Sequence, residues 1–318
     1  MFHLSWSEWF ALNGLIGLGA IILDRRFGEF LQQQHPVVWI GRLIRAYQEY
    51  FYRDSILAGG RLWFSVTFSA LVVGGLLTFL FLLLPLWLAV PLMMGFASTL
   101  LAHRMLFDLV QAVGNSDQPA QAVAHLVSRD TEHLSDEDAY KAAMESYAEN
   151  ISDGVFAPLL YLLLFGLPGM LLYKAINTLD SMVGYRTPQY ENWGKISAKI
   201  DDLANYVPAR LTALLLLGLK KQTDWRLAYR LGRQHASPNA GHPISALALG
   251  CRCRLGGPTR YFGQWQTKAY FGRASDPIQI RPHHVDCALA LRNGFDFTLL
   301  TLSLGWMLFW LQQGAFYG

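Results

Sequence analysis

Two apolar runs follow each other in the chain: LWFSVTFSALVVGGLLTFLF at residues 62–81 and PLWLAVPLMMGFASTLLA at residues 85–102. Each is long enough for a membrane-crossing helix of about 20 residues, and Pro85 marks the turn between them. Two further runs, at residues 9–23 and 295–312, are also apolar. The sequence therefore predicts four full membrane spans.

The composition agrees with a membrane protein. Of the 318 residues, 15% are charged and 53% are hydrophobic, whereas a soluble domain has about 25% charged residues. The net charge of +3 and the lack of a basic cluster argue against nucleic acid as a partner. Three cysteines are too few for a disulfide framework, and the Cys251-x-Cys253 spacing does not suit zinc, so we expect reduced thiols facing the cytosol.

The basic residues predict the orientation. Six of the 26 Lys and Arg residues lie in 24–61, three in 103–154 and twelve in 220–292, and none lies near 82–91 or before residue 24. Loops rich in Lys and Arg stay on the cytoplasmic side. We therefore expect both termini and the 82–91 turn on the periplasmic side of the inner membrane, with the basic stretches in the cytoplasm.

Two apolar segments leave alternatives open. Residues 155–173 are long enough to cross once, but Gly166, Pro168 and Gly169 interrupt them, and a re-entrant pair of half-helices is the alternative. Residues 207–219 are shorter still. The predicted fold is an all-α polytopic membrane protein, a single domain over 1–318. It has about four full spans, two re-entrant or short membrane segments and a cytoplasmic polar region.

Acidic residues recur before the first of these segments. In DTEHLSDEDAYKAAMESYAENISDG (residues 130–154), Glu145, Glu149 and Asp153 are spaced four apart, on one face of a helix. A divalent cation would offset their repulsion, and hard oxygen ligands suit Mg²⁺. A solvated acidic face is the alternative. Because the acids lead directly into the apolar segment at Val155, we favour a site at the membrane surface.

Two more polar motifs follow. Residues 174–210 combine acids, amides and cations between two apolar segments, the residue types used in nucleotide chemistry. Residues 235–258 contain a turn, Ser-Pro-Asn-Ala-Gly, and a Gly-Gly-Pro loop that allows close approach of backbone to a ligand. No P-loop or dinucleotide-binding glycine motif occurs, so any ATP site must be of another kind. Structured polar loops are the alternative interpretation of both motifs.

Together these motifs resemble a known family, the integral-membrane adenosylcobinamide-phosphate synthases of cobalamin biosynthesis. The matching pieces are spread over nearly the whole chain in the family's order: HPVVWIGRLI (35–44), ESYAENISDGVFAPL (145–159), NTLDSMVGYRTPQY (177–190), AKIDDLANYVPARLTALLL (198–216), SPNAG (237–241) and RLGGP (254–258).

The resemblance implies an amide-forming ligase. Such an enzyme joins aminopropanol phosphate, or a related amino-alcohol phosphate, to a propionate of adenosylcobyric acid and converts ATP to ADP and phosphate with Mg²⁺. The corrinoid is then a substrate rather than a cofactor, and the lipid bilayer is a further partner. A carboxylate acting as general base would remove a proton from the attacking amine.

The site residues that we expect come from the same motifs. The expected catalytic residues are acids and one amide: Glu145, Glu149, Asn150, Asp153 and Asp180. Three of these acids are also the expected metal ligands: Glu149, Asp153 and Asp180. The residues expected to bind nucleotide and substrate are polar, cationic or glycine: Asn177, Ser181, Tyr185, Arg186, Lys195, Asp201, Asp202, Asn205, Arg210, Ser237, Asn239, Arg254, Gly256 and Gly257.

This function also predicts topology. ATP and corrin intermediates are cytosolic, so we expect segments 155–173 and 207–219 to dip into the bilayer without carrying 175–206 outside, and Glu149 and Asp180 to share one surface. Two other functions are weighed against the ligase. A non-catalytic inner-membrane sensor of the same fold would have scattered, dispensable acids. A transporter would carry more charges inside its spans.

Overall fold

A computed structural model describes residues 4–28, 34–127, 130–132, 134–185, 187–261 and 264–317 of the chain. Nearly all of its regular structure is helical, which confirms the predicted all-α class. The helices are α1 (Trp6–Phe27), α2 (Pro36–Phe51), α3 (Ile56–Leu82), α4 (Leu86–Ser98), α5 (His103–Asn115), α6 (Pro119–Val123), α7 (Asp136–Ile151), α8 (Ala157–Val183), α9 (Lys195–Ala204), α10 (Tyr206–Leu219), α11 (Trp225–Gly232), α12 (Gly241–Cys251), α13 (Pro282–Leu289) and α14 (Arg292–Tyr317).

Within the described residues, five helical stretches are long and apolar enough to cross a membrane: Trp6–Phe27, Ile56–Leu82, Leu86–Asn115, Asp136–Val183 and Pro282–Ala315. They contain the four predicted spans and the segment 155–173, so the chain is a multi-pass membrane protein. The sixth apolar segment forms α10, a 14-residue helix. Its length of about 21 Å is shorter than a hydrocarbon core of about 30 Å, as expected for a short membrane segment.

The chain forms two compact units. The first comprises Met1–Ala102, Gly154–Ala204 and Thr298–Gly318, and the second comprises His103–Asp153 and Asn205–Phe297. That residues 1–318 form one membrane-embedded domain stays a prediction.

In the first unit, α8 folds back on itself. Its backbone leaves the helical conformation at Gly166, with φ 68° and ψ −164°. The rings of Tyr161 and Tyr173 stack with their centroids 4.9 Å apart, although twelve residues of unbroken helix would separate their Cα atoms by about 18 Å. A Cβ atom on Gly169 would also lie only 3.0 Å from the Tyr161 carbonyl oxygen. The two halves of α8 therefore form a helical hairpin.

The tip of this hairpin is enclosed by α1 and α3. The Asn13 side chain of α1 donates a hydrogen bond to the Leu163 carbonyl oxygen over 3.5 Å. Gly74 of α3 lies so close to Pro168 that a Cβ atom there would be 2.7 Å from the Pro168 Cα. Non-helical backbone at membrane depth is tolerated where other protein segments cover it, and Asn13 and α3 provide that cover.

Both ends of the hairpin lie on one side of the first unit. At its entry, the Ala102 amide, beyond the end of α4, donates to the Gly154 carbonyl oxygen over 3.1 Å. At its exit, the Tyr52 hydroxyl, just before α3, donates to the Gln189 carbonyl oxygen over 2.9 Å. Because α3 and α4 are joined by the short turn 83–85, the start of α3 and the end of α4 lie on the same side. Of the two alternatives for residues 155–173, the structure therefore shows the re-entrant pair of half-helices and not a single crossing.

This geometry predicts which side residue 189 faces. In a variant whose native cysteines are replaced by serine, a Gln189→Cys thiol should react with an impermeant maleimide from the same side as an Arg53→Cys thiol. A Leu83→Cys thiol, at the turn between α3 and α4, should react only from the other side. Labelling of Gln189→Cys together with Leu83→Cys would show that α8 crosses the bilayer.

In the part of the second unit that the structure describes, the regular structure is helical except for two short antiparallel strand pairs. Strand β1 (Leu255–Gly256) pairs with β4 (Tyr270–Phe271), and β2 (Thr259–Tyr261) pairs with β3 (Gln264–Gln266). The sequence of this stretch is rich in glycine and aromatic residues and predicts a loop. Here the loop prediction is wrong, because backbone pairing between its two ends forms the β1–β4 ladder.

Candidate functional site

Asp180, on the second half of α8, and Asp202, on α9, form what we call the acidic cluster of the first unit. Asn177 and Ser181 are one turn apart, and the Ser181 hydroxyl donates to the Asn177 carbonyl oxygen over 2.9 Å. The Asp180 carboxylate lies over Gly184, where a Cβ atom would clash with it. Asp180 and Asp202 are close enough to interact electrostatically. Two like charges so placed favour a bound cation.

Helix α9 packs its buried face toward the hairpin. Ser197 and Asp201, four residues apart, are both buried. Asp201 interacts electrostatically with Tyr161 of the hairpin, and the Tyr161 hydroxyl donates to the Ala204 carbonyl oxygen over 3.3 Å. Asp201 therefore lies at the packing surface between α9 and α8.

The remaining predicted residues of this motif have different surroundings. Tyr185 is exposed, at 38% of its surface, and Lys195 is the first residue of α9. Arg186 lies outside the described residues. The phosphate-binding roles of Lys195 and Arg186 stay predictions.

In the second unit, the acidic motif lies at the end of α7. Glu145 is buried, and its carboxylate accepts a 2.7 Å hydrogen bond from the Gly256 amide. Glu149 is exposed on the same helix. The Asn150 side chain donates to the Ser146 carbonyl oxygen over 2.9 Å. Asp153 lies in the π-helical turn Ser152–Phe156 that follows α7, a local geometry that is frequent at functional sites.

The glycine loop has a backbone that only glycine adopts easily. Gly256 and Gly257 have φ values of +78° and +84°. A Cβ atom on Gly256 would lie 2.2 Å from the Ala269 carbonyl oxygen. Close backbone packing and the positive φ therefore both require glycine at position 256. The same backbone conformation directs the Gly256 amide toward Glu145.

Replacing Gly256 with alanine should lower the free energy of unfolding by about 1 to 3 kcal/mol, the usual cost of strained backbone. The added methyl group would also push β1 away from Glu145. Thermal unfolding in detergent measures the change. Gly218→Ala in α10 is the matched control, because a Cβ atom added there would have no other atom within 4 Å. Equal stability of the two variants would contradict the prediction.

Arg210 stabilises the Ser-Pro-Asn-Ala-Gly turn. Its guanidinium donates to the Asn239 side-chain oxygen over 3.4 Å and to the Pro238 carbonyl oxygen over 3.3 Å. Within the turn, the Ser237 hydroxyl oxygen accepts a hydrogen bond from the Asn239 amide over 3.2 Å. Arg254 stacks over the Tyr270 ring, 4.5 Å from its centroid. Both guanidinium groups thus have partners inside the unit, and their role toward phosphate stays a prediction.

The structure brings together predicted site residues that are far apart in sequence: hydrogen bonds join Glu145 with Gly256 and Arg210 with Asn239, and Asp180 interacts electrostatically with Asp202. Asn205 is buried at the N-cap of α10. Glu149 and Asp153 belong to the second unit and Asp180 to the first, so their predicted common surface stays a prediction.

A bound metal ion would need oxygen, nitrogen or sulfur ligands from the described part of the chain. There, no group of three or more His, Cys, Asp or Glu side chains is arranged to hold a metal ion. Mg²⁺ is usually bound by one or two carboxylates together with waters and substrate phosphates. The Asp180–Asp202 pair fits that second mode, in which the nucleotide supplies the other oxygens.

One buried pair of a histidine and an acid was not predicted from the sequence. His103 Nδ1 and the Asp296 carboxylate lie 2.6 Å apart, both buried, in the second unit. The Arg292 guanidinium lies 3.9 Å from the same carboxylate. The sequence contains one indication of this pair. Asp296 lies within the apolar segment 295–312, and an acid in such a segment usually has a partner inside the protein.

The chain is similar to known proteins over most of its length. The model of the CobD/Cbib protein family matches residues 17–292. A protein of Geobacter metallireducens named cobalamin biosynthesis protein CobD is 36% identical, over 91% of this chain and 98% of its own length. A protein of the same name from Photorhabdus laumondii is 38% identical, over 85% of this chain and 88% of its own.

An archaeal relative, the probable cobalamin biosynthesis protein CobD of Methanocaldococcus jannaschii, is 36% identical over 74% of this chain and 83% of its own length. No solved structure matches the chain. The family match covers most of the sequence, including the acidic motif, the re-entrant hairpin and the glycine loop. The chain therefore belongs to the CobD/CbiB protein family, which has a role in cobalamin biosynthesis.

Proposed function

We propose that this protein is an adenosylcobinamide-phosphate synthase, an ATP-dependent ligase that joins adenosylcobyric acid to aminopropanol phosphate. The observation that carries the proposal is the Asp180–Asp202 pair at the exit of the re-entrant hairpin, in a chain of this family. Two carboxylates that interact electrostatically at the edge of a membrane segment repel each other, and a bound cation or a proton on one of them relieves that repulsion. A metal–nucleotide complex supplies such a cation.

The proposed reaction has two steps, activation of the carboxylate by ATP and attack by the amine. A propionate oxygen of the corrinoid attacks the γ-phosphorus of ATP, which forms an acyl phosphate and releases ADP. The amine then attacks the acyl carbon, its proton passes to a base, and phosphate leaves as the amide bond forms. The carboxylate must be activated in this way because it is a poor acyl donor.

The chain's carboxylates have two tasks in this scheme. Asp180 and Asp202 hold the metal or take the proton of the amine, and Glu149 and Asp153 are further candidates for the same tasks. Mg²⁺, when bound, neutralises the charge of the transferred phosphoryl group. Glu145 is already hydrogen-bonded to the Gly256 amide, and so it positions the glycine loop.

The orientation of the chain in the membrane follows from this function. The basic stretch 24–61 is expected in the cytoplasm by the distribution of Lys and Arg. The hairpin exit lies beside residues 52–59. With the basic stretch inside, the acidic cluster of the first unit faces the cytosol, where ATP is available, and both termini face the periplasm of the inner membrane.

Purified protein in detergent tests the activity. The protein is incubated with ATP, Mg²⁺, adenosylcobyric acid and either aminopropanol phosphate, ethanolamine phosphate or threonine phosphate. The expected result is one amide product by mass spectrometry and one ADP released per amide. ATP-independent product, or no product with any amine from protein that is folded and monodisperse, would contradict the proposal and favour a non-catalytic sensor.

A further inference from the structure

A cluster of lysine and cysteine in the second unit is not used by the proposed function. The Lys220 ammonium, at the end of α10, donates a hydrogen bond to Cys287 Sγ over 3.1 Å and to the Cys287 carbonyl oxygen over 2.8 Å. Cys251, the last residue of α12, forms a side-chain hydrogen bond to the same sulfur. Cys287 Sγ thus accepts from an ammonium and from a thiol, which is the environment of a thiolate.

The backbone beside this cluster is strained. Among the described residues, the non-glycine residues with positive φ are Lys221 and Arg252, each at +53°. They directly follow Lys220 and Cys251, the two groups that donate to Cys287. Strained residues of this kind are often found at functional sites. Close packing adds to the constraint, since a Cβ atom on Gly250 would lie 2.7 Å from Lys220 Cγ.

The three thiols of the chain differ in reactivity for physical reasons. The hydrogen bond to Cys287, together with burial, raises the pKa of the Cys251 thiol, so this group stays protonated as a donor. Burial raises the pKa of Cys253 to about 12. Cys287 is half-buried and has the ammonium beside its sulfur. Cys287 is therefore the expected nucleophile, and Cys253 is the expected inert thiol.

We propose that Cys287 and Cys251 form a hydroperoxide-reactive thiol pair, activated by Lys220. The Cys287 thiolate attacks one peroxide oxygen, the O–O bond breaks, and the hydroxide or alkoxide that leaves takes a proton from solvent, which produces a sulfenic acid and water or an alcohol. The Cys251 sulfur then attacks the Cys287 sulfur and loses its proton, and water leaves as the disulfide forms. The two thiols lose two electrons, and these reduce the peroxide.

Oxidation would join the end of α12 to α13 within the second unit. Cys251 lies five positions before Gly256, whose amide holds Glu145. The disulfide would therefore form close in sequence to the glycine loop. The chemical step itself does not depend on the ligase activity, so it can be tested whether or not that activity is found.

The test uses the full-length protein in detergent, treated with a small excess of hydrogen peroxide and then alkylated. Cleavage after Arg252 separates the peptides of Cys251 and Cys253. We expect loss of two of the three free thiols and one linked pair of peptides, Cys251 with Cys287, which a dithiol reductant separates. A linkage through Cys253, or equal oxidation of all three thiols, would overturn the proposal.

Variants test the role of each group. Cys251→Ser should stop at the sulfenic acid, trapped by dimedone on Cys287, and Cys253→Ser should behave as the wild type. In an assay below the pKa of the Cys287 thiol, where the thiolate fraction limits the rate, Lys220→Met should slow the loss of this thiol roughly tenfold, the effect of about one pKa unit of thiolate stabilisation, and Lys220→Arg should restore most of the rate. Wild-type rates for Lys220→Met would overturn the activation by lysine, and size-exclusion profiles show that each variant is folded.

Discussion

Replacing Asp180 with asparagine should lower the rate of amide formation by about 10²-fold or more, the usual contribution of a positioned acid or base. The substitution keeps the size of the side chain and removes its charge. The repulsion with Asp202 disappears in the variant, so we expect no loss of stability from removing the charge. Turnover is measured with saturating ATP, adenosylcobyric acid and the accepted amine.

Asp54→Asn is the matched control. Asp54 accepts a 3.1 Å hydrogen bond from Asn192 on the surface of the same unit, and an exposed contact of this kind contributes little. This variant should retain wild-type turnover. Wild-type turnover of Asp180→Asn as well would remove Asp180 from the proposed machinery.

The dependence on Mg²⁺ separates the two tasks of the pair. If Asp180 and Asp202 bind the metal together, Asp180→Asn and Asp202→Asn should both need more Mg²⁺ for half-maximal rate. If Asp180 is instead the base, its variant should have a low maximal rate at an unchanged Mg²⁺ requirement. Unchanged rate and unchanged Mg²⁺ requirement in both variants would contradict both roles.

Replacing Gly166 with alanine should lower the free energy of unfolding by about 2 to 5 kcal/mol. One part is the strain of a backbone conformation reserved for glycine, and the other is overpacking at the hairpin tip. A Cβ atom there would lie 2.7 Å from Cζ2 of the Trp9 ring. Thermal unfolding in detergent measures the loss, which should appear as a lower Tm.

Gly75→Ala is the control for this variant. Gly75 lies in α3, and a Cβ atom added to it would have no other atom within 4 Å. Alanine is favoured over glycine in a helix, so this variant should be as stable as the wild type or more stable. A Gly166→Ala protein with wild-type Tm would show that the break in α8 is not required for the fold.

Much of the fold could be predicted from apolar length alone. The predicted segment 62–81 lies within α3, and 207–219 lies within α10, which spans Tyr206–Leu219. The sequence also predicts the interruption in 155–173, but three residues, Gly166, Pro168 and Gly169, are equally possible positions for it. The structure breaks the helix at Gly166, and Pro168 falls in the first turn of the following half-helix, where proline is tolerated.

The candidate site could be predicted only as a set of motifs. Glu145 and Gly256 were both expected site residues, but their 2.7 Å hydrogen bond joins positions that are far apart in the chain. The Lys220 contact with Cys287 had no sequence signal, because neither residue lies in a recognisable motif. Contacts of this kind depend on how helices pack, which local patterns do not encode.

The segments that enter the bilayer and the family that the motifs resemble can be read from the linear chain, because hydrophobic length and motif order are properties of the sequence. The return of residues 155–173 to the side where they enter is visible only in the packed structure. That return depends on Asn13 and Gly74, which belong to other helices and provide the hydrogen bond and the close packing that a broken helix needs inside a membrane.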